Sequence, residues 1–157
     1  MIFSDEDKKY MKMALAEARN ALEYNEVPIG AVVVCNGEVV GKGFNLREKT
    51  QDPTAHAEMI ALRKAAEKQA SWRLEDCQLY VTLEPCSMCA GALLQARIEK
   101  LVFAARDPKA GAVKSLYQLL DDSRFNHQVD VVEGVMKEKS AQLLKDFFRD
   151  LRKRKDG

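Results

Sequence analysis

Residues 77–105 read CQLYVTLEPCSMCAGALLQARIEKLVFAA, and this stretch decides the fold. Cys77–Leu83 and Lys100–Ala105 are short apolar runs of the kind that forms buried strands. Between them, Pro85 stands where a first helical residue would, which predicts a helix running to about Arg97. A strand, a helix and a strand at this spacing predict a parallel crossover, which is right-handed by strong precedent.

The segment before this stretch predicts a helix and a hairpin. Ser4 is followed by three acidic residues, and a hydroxyl cap and negative charge both suit exposed N–H groups at a helix start. Apolar residues then recur at helical spacing as far as Leu22. Residues 29–35 are apolar and β-branched, and Asn36-Gly37 is a strong hairpin signal that leads into a second strand over Glu38–Phe44.

The remaining segments complete an α/β pattern. A loop over residues 45–54 ends at Thr54, which is placed to cap a helix running to about Lys68. A short strand near residues 129–132 precedes a last amphipathic helix, marked by Ala141, Leu144, Phe147, Phe148 and Leu151. We therefore expect one domain over residues 1–157, an α/β/α sandwich with a mixed, about five-stranded sheet and a basic C-terminal helix.

Composition and charge exclude several classes of protein. Hydrophobic residues make up 46% of the chain and charged residues 31%, the balance of a soluble globular protein. The net charge is only +1, so any basic surface for nucleic acid must be local. Residues 1–7 contain no basic segment followed by an apolar stretch, so we expect no secretory signal, and residues 29–35 are too few to span a bilayer. We expect a cytoplasmic protein with no membrane partner, in which the four cysteines are reduced and serve metal binding or catalysis rather than disulfides.

Two short motifs carry candidate chemistry, His56-Ala57-Glu58 and Pro85-Cys86-Ser87-Met88-Cys89, each at a predicted helix N-terminus. Cys86 and Cys89 are three residues apart and face the same side of a helix, whose N-terminal dipole favours thiolates. A catalytic zinc ion needs three nitrogen or sulfur ligands and leaves one position for water, so His56 would supply the third ligand. Glu58 would lie beside the metal, where a carboxylate can take a proton from that water and deliver it to the substrate.

Each of these residues alone has a simpler explanation. Cys-x-x-Cys is often a structural zinc half-site or a redox pair, and Cys35 or Cys77 could complete a closed four-ligand site. His56 alone is more often a hydrogen-bonded core or surface residue, and Glu58 alone a solvated helix residue. Their occurrence in order at two helix starts favours a catalytic zinc site. Cys35 and Cys77, in predicted strands, are then expected to be small core residues.

The zinc motifs resemble those of the cytidine and adenosine deaminase superfamily. Within it, the chain resembles the bacterial tRNA-specific adenosine deaminases from near residue 10 to about residue 153. That narrower resemblance rests on Glu26-Val27-Pro28-Ile29-Gly30-Ala31-Val32, Asn45, Asp52-Pro53-Thr54-Ala55, Leu79-Tyr80-Val81-Thr82-Leu83-Glu84, Cys89-Ala90-Gly91-Ala92, Ala105-Arg106-Asp107-Pro108-Lys109, Phe125-Asn126-His127 and Phe147-Phe148-Arg149. It implies a three-layer cytidine deaminase-like fold, one zinc ion per chain, a homodimer, and hydrolysis of the wobble adenosine of a tRNA anticodon to inosine.

The resemblance also implies roles for individual residues. Glu58 is the catalytic proton carrier, and Asn45 hydrogen-bonds the target base. Asp107 and Asn126 lie near flanking nucleotides. The substrate-binding set also includes Ala57, Leu83, Glu84, Phe148 and Arg152. From the residues alone, Asn45 fits a turn asparagine equally well, and Asp107 and Asn126 fit loop and cap residues better.

Two other function classes remain open at this level. A deaminase of free guanine or cytosine would share the zinc motifs without needing a basic terminal helix. A non-catalytic partner subunit would be expected to lose Glu58 or a metal ligand, and this chain keeps all four residues.

Two helices suggest surfaces for partners. From Lys145 to Lys155 the last helix carries six basic and two acidic residues, which favours RNA contact, although basic residues at a helix C-terminus also suit the helix dipole. One of Phe147 and Phe148 is expected in the core, and the other is available to stack on an unstacked base. The second zinc helix is apolar on more than one face, so it is either wholly buried or covered by a partner chain. Its apolar residues are Met88, Ala90, Ala92, Leu93 and Leu94.

Overall fold

The computed structural model describes residues 2–156. Its centre is a five-stranded sheet in the order β2-β1-β3-β4-β5. The strands are β1 (Gly30–Cys35), β2 (Glu38–Phe44), β3 (Cys77–Leu83), β4 (Lys100–Ala105) and β5 (Asp130–Glu133). β1 runs antiparallel to both β2 and β3, whereas β4 is parallel to β3 and to β5. The predicted mixed sheet and the parallel connection from β3 to β4 are confirmed.

Helices cover both faces of the sheet. They are α1 (Asp5–Leu22), α2 (Arg47–Thr50), α3 (Ala57–Gln69), α4 (Ser87–Ala96) and α5 (Lys137–Asp156), with a short 3-10 turn at Leu119–Asp121. α3 and α4 pack on one face and α1 on the other, where the start of α5 also contacts β3 and β4 through Ser140, whose Oγ–H donates to the Thr82 carbonyl. This is the predicted α/β/α sandwich. No helix in the described part of the chain is long and apolar enough to cross a bilayer.

The two cores explain why β1 is apolar along its whole length. Successive side chains of a strand point to opposite faces, so Ala31 and Val33 join the α3–α4 core, whereas Val32 and Val34 join the α1 core. All six residues of β1 are buried. A strand covered on both faces has no polar alternation, because neither face meets water.

Two local signals act as expected. Ser4 caps α1, and its Oγ accepts a hydrogen bond from the Asp7 N–H at 3.0 Å. Asn36 and Gly37 have φ angles of 51° and 76°, the left-handed pair that a two-residue hairpin turn requires. Cys35 therefore pairs directly with Glu38.

The predicted starts of the two zinc-motif helices are wrong. α3 begins at Ala57 with His56 as its N-cap, because Thr54 instead donates its N–H and Oγ–H to Asp52 Oδ1, at 2.8 and 2.7 Å. α4 begins at Ser87 with Cys86 as its N-cap, so Pro85 precedes the helix by two residues. Both changes place a candidate metal ligand at a helix N-cap.

Two other expectations are also corrected. The segment predicted as a loop at 45–54 contains the single helical turn α2, which ends at Gln51 in a left-handed conformation. Cys35 and Cys77, expected to be reduced core residues, are bonded to each other as a disulfide, although both are buried in the core as predicted. They are direct cross-strand partners of β1 and β3 with Cα atoms 4.3 Å apart, a pairing that depends on strand register.

Candidate active site

Three candidate metal ligands meet where α3 and α4 begin. His56 and Cys86 are the N-caps of these helices, and Cys89 lies in the first turn of α4. Their ligand atoms all lie within 4.8 Å of one another. Each of the two sulfurs is 3.6 Å from His56 Nδ1. The structure thus brings together three residues that lie up to 33 positions apart in the chain.

The chemistry of these donors suits a soft or borderline divalent metal. A hydrogen bond from Cys89 lowers the pKa of Cys86 to about 3, and the same bond together with burial raises the pKa of Cys89. The lowered pKa favours Cys86 as a thiolate, and a bound cation would favour the thiolate form of Cys89 as well. One imidazole and two thiolates form a three-ligand set of the type found in catalytic zinc sites.

The described residues do not form a closed structural metal site with four ligands. Such a site requires a fourth ligand, and among the described residues no further His, Cys, Asp or Glu joins the group of His56, Cys86 and Cys89. Cys35 and Cys77 are bonded to each other, and His127 contacts the Ile98 carbonyl at 2.8 Å through Nε2. The group of three ligands therefore keeps an open side, which faces a cavity.

Glu58 lies next to the ligands in the first turn of α3. Its side chain is buried, and burial raises its pKa to about 7. A carboxyl with a pKa near neutrality can both accept and donate a proton at physiological pH, which is the property required of a general acid and base.

The cavity above these residues has a volume of about 850 Å³, within the range that holds a small organic ligand. His56, Ala57, Glu58 and Cys86 form its base. One wall consists of Val27, Ile29, Asn45 and Arg47, beside β1 and β2. A second wall follows β3 and β4 and comprises Leu83, Glu84, Arg106, Asp107, Pro108, Lys109 and Ala110. Leu144, Lys145 and Phe148 of α5 close the third side.

Most of the substrate-binding residues suggested by the sequence line this cavity. They are Asn45, Ala57, Leu83, Glu84, Asp107 and Phe148. Asn126 and Arg152 do not line it, and both are exposed. Sequence reasoning missed Arg47, a basic residue of the wall that belongs to no motif, whereas Lys145 lies in the basic helix segment proposed for RNA contact.

Asn45 has the hydrogen bonds of a turn asparagine. Its Oδ1 accepts from the Arg47 N–H at 3.1 Å, and its Nδ2 donates to the Val27 carbonyl at 3.4 Å. An amide has two lone pairs on oxygen and two N–H donors, so one of each remains for a ligand. Asn45 can therefore hold the wall together and contact a base at the same time.

Glu84 differs, because its carboxylate is directed into the protein. It accepts hydrogen bonds from the backbone of the segment that follows β4. Burial alone would raise the pKa of Glu84, but hydrogen bonds from Ser115, Lys114 and Asp107 outweigh it and lower the pKa to about 2. The side chain is therefore an anion held by N–H and O–H donors.

The two neighbouring phenylalanines of α5 have different environments. Phe147 is 7% exposed and packs inward, whereas Phe148 is 42% exposed and lines the cavity. Their rings meet edge to face with centroids 5.3 Å apart. The ring of Phe148 is thus supported from behind and accessible from the cavity side.

This fold and site are those of a deaminase: the chain belongs to the MafB19-like deaminase family, whose profile matches residues 5–152. The resemblance to tRNA-specific adenosine deaminases is also confirmed. The chain is 53% identical to the tRNA-specific adenosine deaminase of Bacillus subtilis over 150 residues, which cover 96% of this chain and 93% of the relative. It is 47% identical to that of Aquifex aeolicus over 143 residues, which cover 91% and 94% of the two chains.

Solved structures agree with these relatives. One from studies of A-to-I editing by tRNA:A34 deaminases at the wobble position of transfer RNA superimposes with a TM-score of 0.83 at 45% identity, covering 87% of this chain and 99% of that one. A guanine deaminase from Nitrosomonas europaea gives a TM-score of 0.79 at 23% identity, over 94% of this chain and 86% of that one, and shares the fold. The predicted cytidine deaminase-like fold is confirmed.

Proposed function

We propose that this protein is a cytoplasmic, zinc-dependent tRNA adenosine deaminase, which hydrolyses the wobble adenosine of an anticodon to inosine and releases ammonia. One observation carries the proposal: the His56, Cys86 and Cys89 donors form one cluster, and His56, Cys86 and Glu58 line a cavity of about 850 Å³. The high identity to tRNA-specific adenosine deaminases over nearly the whole chain supports the choice of substrate. We treat residues 1–157 as one catalytic domain.

His56, Cys86 and Cys89 would hold the zinc ion. When bound there, zinc supplies a Lewis acid that makes water nucleophilic near neutral pH. Glu58 takes a proton from the attacking water and delivers it to the ring nitrogen beside C6 of adenine. The oxygen of that water bonds to C6, and a second proton passes through Glu58 to the departing amino group. Water and adenosine thus give inosine and ammonia, with Glu58 returned to its starting state.

The walls of the cavity suit a base that has left its stack. An anticodon loop is single-stranded, so turning one base outward costs little. Asn45 keeps one donor and one acceptor for the base, and Phe148 offers an aromatic face at the mouth. Arg47 and Lys145 add positive charge where the phosphate backbone would pass.

A homodimer is also part of the proposal. On α4, Met88, Gly91 and Ala92 are only partly buried, and Leu116 and Tyr117, which precede the 3-10 turn that contacts α4, are 52% and 61% exposed. Apolar surface of this kind on a small domain suits a second copy of the chain. In such a dimer, the second chain would cover the exposed side of α4, as the apolar sequence of this helix suggests.

The test uses a synthetic anticodon stem-loop with adenosine at the wobble position. Zinc-loaded protein should produce inosine there, detected by nucleoside mass spectrometry. A matched stem-loop with the adenosine moved one position along the loop is the control. Absence of inosine would overturn the proposal. Faster release of ammonia from free guanine or cytosine than from the stem-loop would favour the free-base alternative.

A further inference from the structure

Glu84 stands out as a buried carboxylate with no cationic partner among the described residues. It follows β3 directly, two positions before Cys86, and is 2% exposed. Its N–H donates to the Ala105 carbonyl at 2.8 Å, so its backbone continues the pairing of β3 with β4. The charge of the side chain is instead met by hydrogen bonds.

Five donors converge on the two carboxylate oxygens. Oε1 accepts from the Asp107 N–H at 3.0 Å and the Ser115 Oγ–H at 2.5 Å. Oε2 accepts from the N–H groups of Val113, Lys114 and Ser115 at 3.1, 2.8 and 2.9 Å. A carboxylate has about four lone-pair sites, so this one is fully used and has none left for a substrate.

The same hydrogen bonds fix both ends of a loop. We call residues 107–115 the wall loop, because its first four residues, 107–110, line the cavity. Within it, the Gly111 N–H donates to the Asp107 carbonyl at 2.8 Å, and the Ala112 N–H donates to the Pro85 carbonyl at 2.9 Å. Gly111 lies against the Glu84 carboxylate so closely that a Cβ there would overlap it. The wall loop therefore takes its shape from Glu84.

We propose that Glu84 is a positioning residue for substrate binding: its carboxylate holds the wall loop in place and does not contact the substrate. This rests on the proposed deaminase function. The Glu84 carboxylate binds N–H donors at both ends of the wall loop. The loop should therefore keep its shape while a base enters and leaves the cavity. Misplacing such a wall weakens binding even when the reacting groups are intact.

Glu26 provides a matched comparison at the opposite wall. It is 1% exposed and accepts hydrogen bonds from the N–H groups of Glu48 and Lys49 at 3.1 and 2.7 Å. It therefore holds α2, beside Arg47, as Glu84 holds the wall loop. The two loops follow β2 and β4, which lie on opposite sides of β1 and β3 in the sheet.

The test compares Glu84→Gln with Glu26→Gln. Glutamine keeps the size of the side chain and one acceptor oxygen but replaces the other oxygen with an NH₂ group, so the negative charge and the hydrogen bonds to the replaced oxygen are lost. In Glu84→Gln, the bound amides of the wall loop, those of Asp107, Val113, Lys114 and Ser115, should therefore exchange with deuterium at least about tenfold faster, most of all those that face the NH₂ group. The amides of Glu48 and Lys49 should not change. Glu26→Gln should give the reverse pattern.

Kinetics supply the second readout. For Glu84→Gln we expect KM for the anticodon stem-loop to rise about tenfold or more, with a smaller change in kcat and unchanged zinc content. Ser115→Ala removes only the hydroxyl donor to Glu84, and this milder variant replaces Glu84→Gln in the test if Glu84→Gln does not fold. It should shift amide exchange and KM in the same direction by less.

Three results would overturn the positioning role. They are unchanged amide exchange in the wall loop of folded Glu84→Gln, an unchanged KM, and loss of zinc from this variant. The exchange measurement needs no turnover, so it remains informative if the wild-type protein fails to deaminate the stem-loop. Failure of the positioning role and failure of the proposed function are therefore distinguishable.

Discussion

The Sγ atom of Cys86 lies 3.6 Å from Nδ1 of His56, although 30 residues separate them in the chain. Both residues occupy the N-cap of a helix, in extended conformation and without a side-chain cap hydrogen bond. A ligand at an N-cap leaves its side chain free of the helix surface. It also adds the dipole of the helix, which favours an anionic ligand such as Cys86.

Removal of either cysteine ligand should remove the metal. We expect one zinc ion per wild-type chain, and none bound stoichiometrically in Cys86→Ala or Cys89→Ala, because two remaining ligands cannot retain it. Atomic absorption on dialysed protein measures this. Both variants should also unfold at lower temperature, because the ion links α3 to α4. Cys77→Ala is the matched control and should keep its zinc, and full zinc in Cys86→Ala would contradict the ligand assignment.

Glu58→Gln should separate proton transfer from metal binding. The variant should keep its zinc and its fold but lose at least about a hundredfold in single-turnover rate, the usual weight of a positioned acid and base. Glu67, which is exposed on the same helix, gives the control variant Glu67→Gln with unchanged rate. Deamination by Glu58→Gln at a near-normal rate would mean that another group moves the proton.

Local signals predicted those parts of the fold that depend on neighbouring residues. Asn36-Gly37 dictates its own turn, and β2, β3 and β4 begin and end at the predicted residues. The helix starts at Thr54 and Pro85 were misplaced, because Asp52 takes the hydrogen bonds of Thr54 and because Cys86, after the proline, takes the N-cap position. Helix boundaries respond to such competition more than helix existence does.

Long-range relations were not accessible from the sequence. The Cys35–Cys77 disulfide needs the register of β1 against β3, which no local pattern gives. The hydrogen bonds of Glu84 reach 23 to 31 residues along the chain, and no local pattern contains them. The metal ligands were found because their residue types are rare and their spacing is specific. A buried glutamate that accepts hydrogen bonds from backbone N–H groups and one serine hydroxyl has neither property.

A charge placed on the exposed side of α4 should dissociate the proposed dimer. No atom lies within 4 Å of where a Gly91 Cβ would be, so Gly91→Glu should leave each chain folded. Light scattering at micromolar concentration should give the mass of two chains for the wild type and of one for Gly91→Glu. Gln69→Glu, on exposed α3 surface, should remain dimeric. A wild-type mass of one chain would contradict the dimer.

The exposed phenylalanine of α5 should matter for RNA, and the buried one for folding. Phe148→Ala should weaken stem-loop binding about tenfold, because stacking on an aromatic ring contributes roughly 1–3 kcal/mol per base, and should leave the melting temperature nearly unchanged. Phe147→Ala should do the opposite and destabilise the fold by about 3 kcal/mol or more. Fluorescence anisotropy and thermal melts measure the two effects. Equal loss of stability in both variants would argue against a stacking role for Phe148.

The basic end of α5 should contact the RNA backbone. Arg154 donates a hydrogen bond to Asn25 Oδ1 at 2.9 Å, which places this end of the helix beside the turn that leads to Val27 of the cavity wall. Arg149 is paired with Asp146 and Asp150, at 3.2 and 3.3 Å. Arg152 and Lys153 are exposed and form no ion pair with the side chains that the structure describes.

The double variant Arg152→Ala and Lys153→Ala should therefore bind the stem-loop more weakly and with a shallower salt dependence. The slope of log K against log salt is negative, and each lost phosphate contact makes it less steep by roughly 0.7 to 0.9. Lys137→Ala with Lys139→Ala removes the same charge from the exposed start of the same helix, at the end opposite Arg152. That control should keep the wild-type slope, because the slope depends on the number of phosphate contacts and not on the net charge of the protein. Equal slopes in the two double variants would mean that the basic residues of this helix end serve the helix dipole alone.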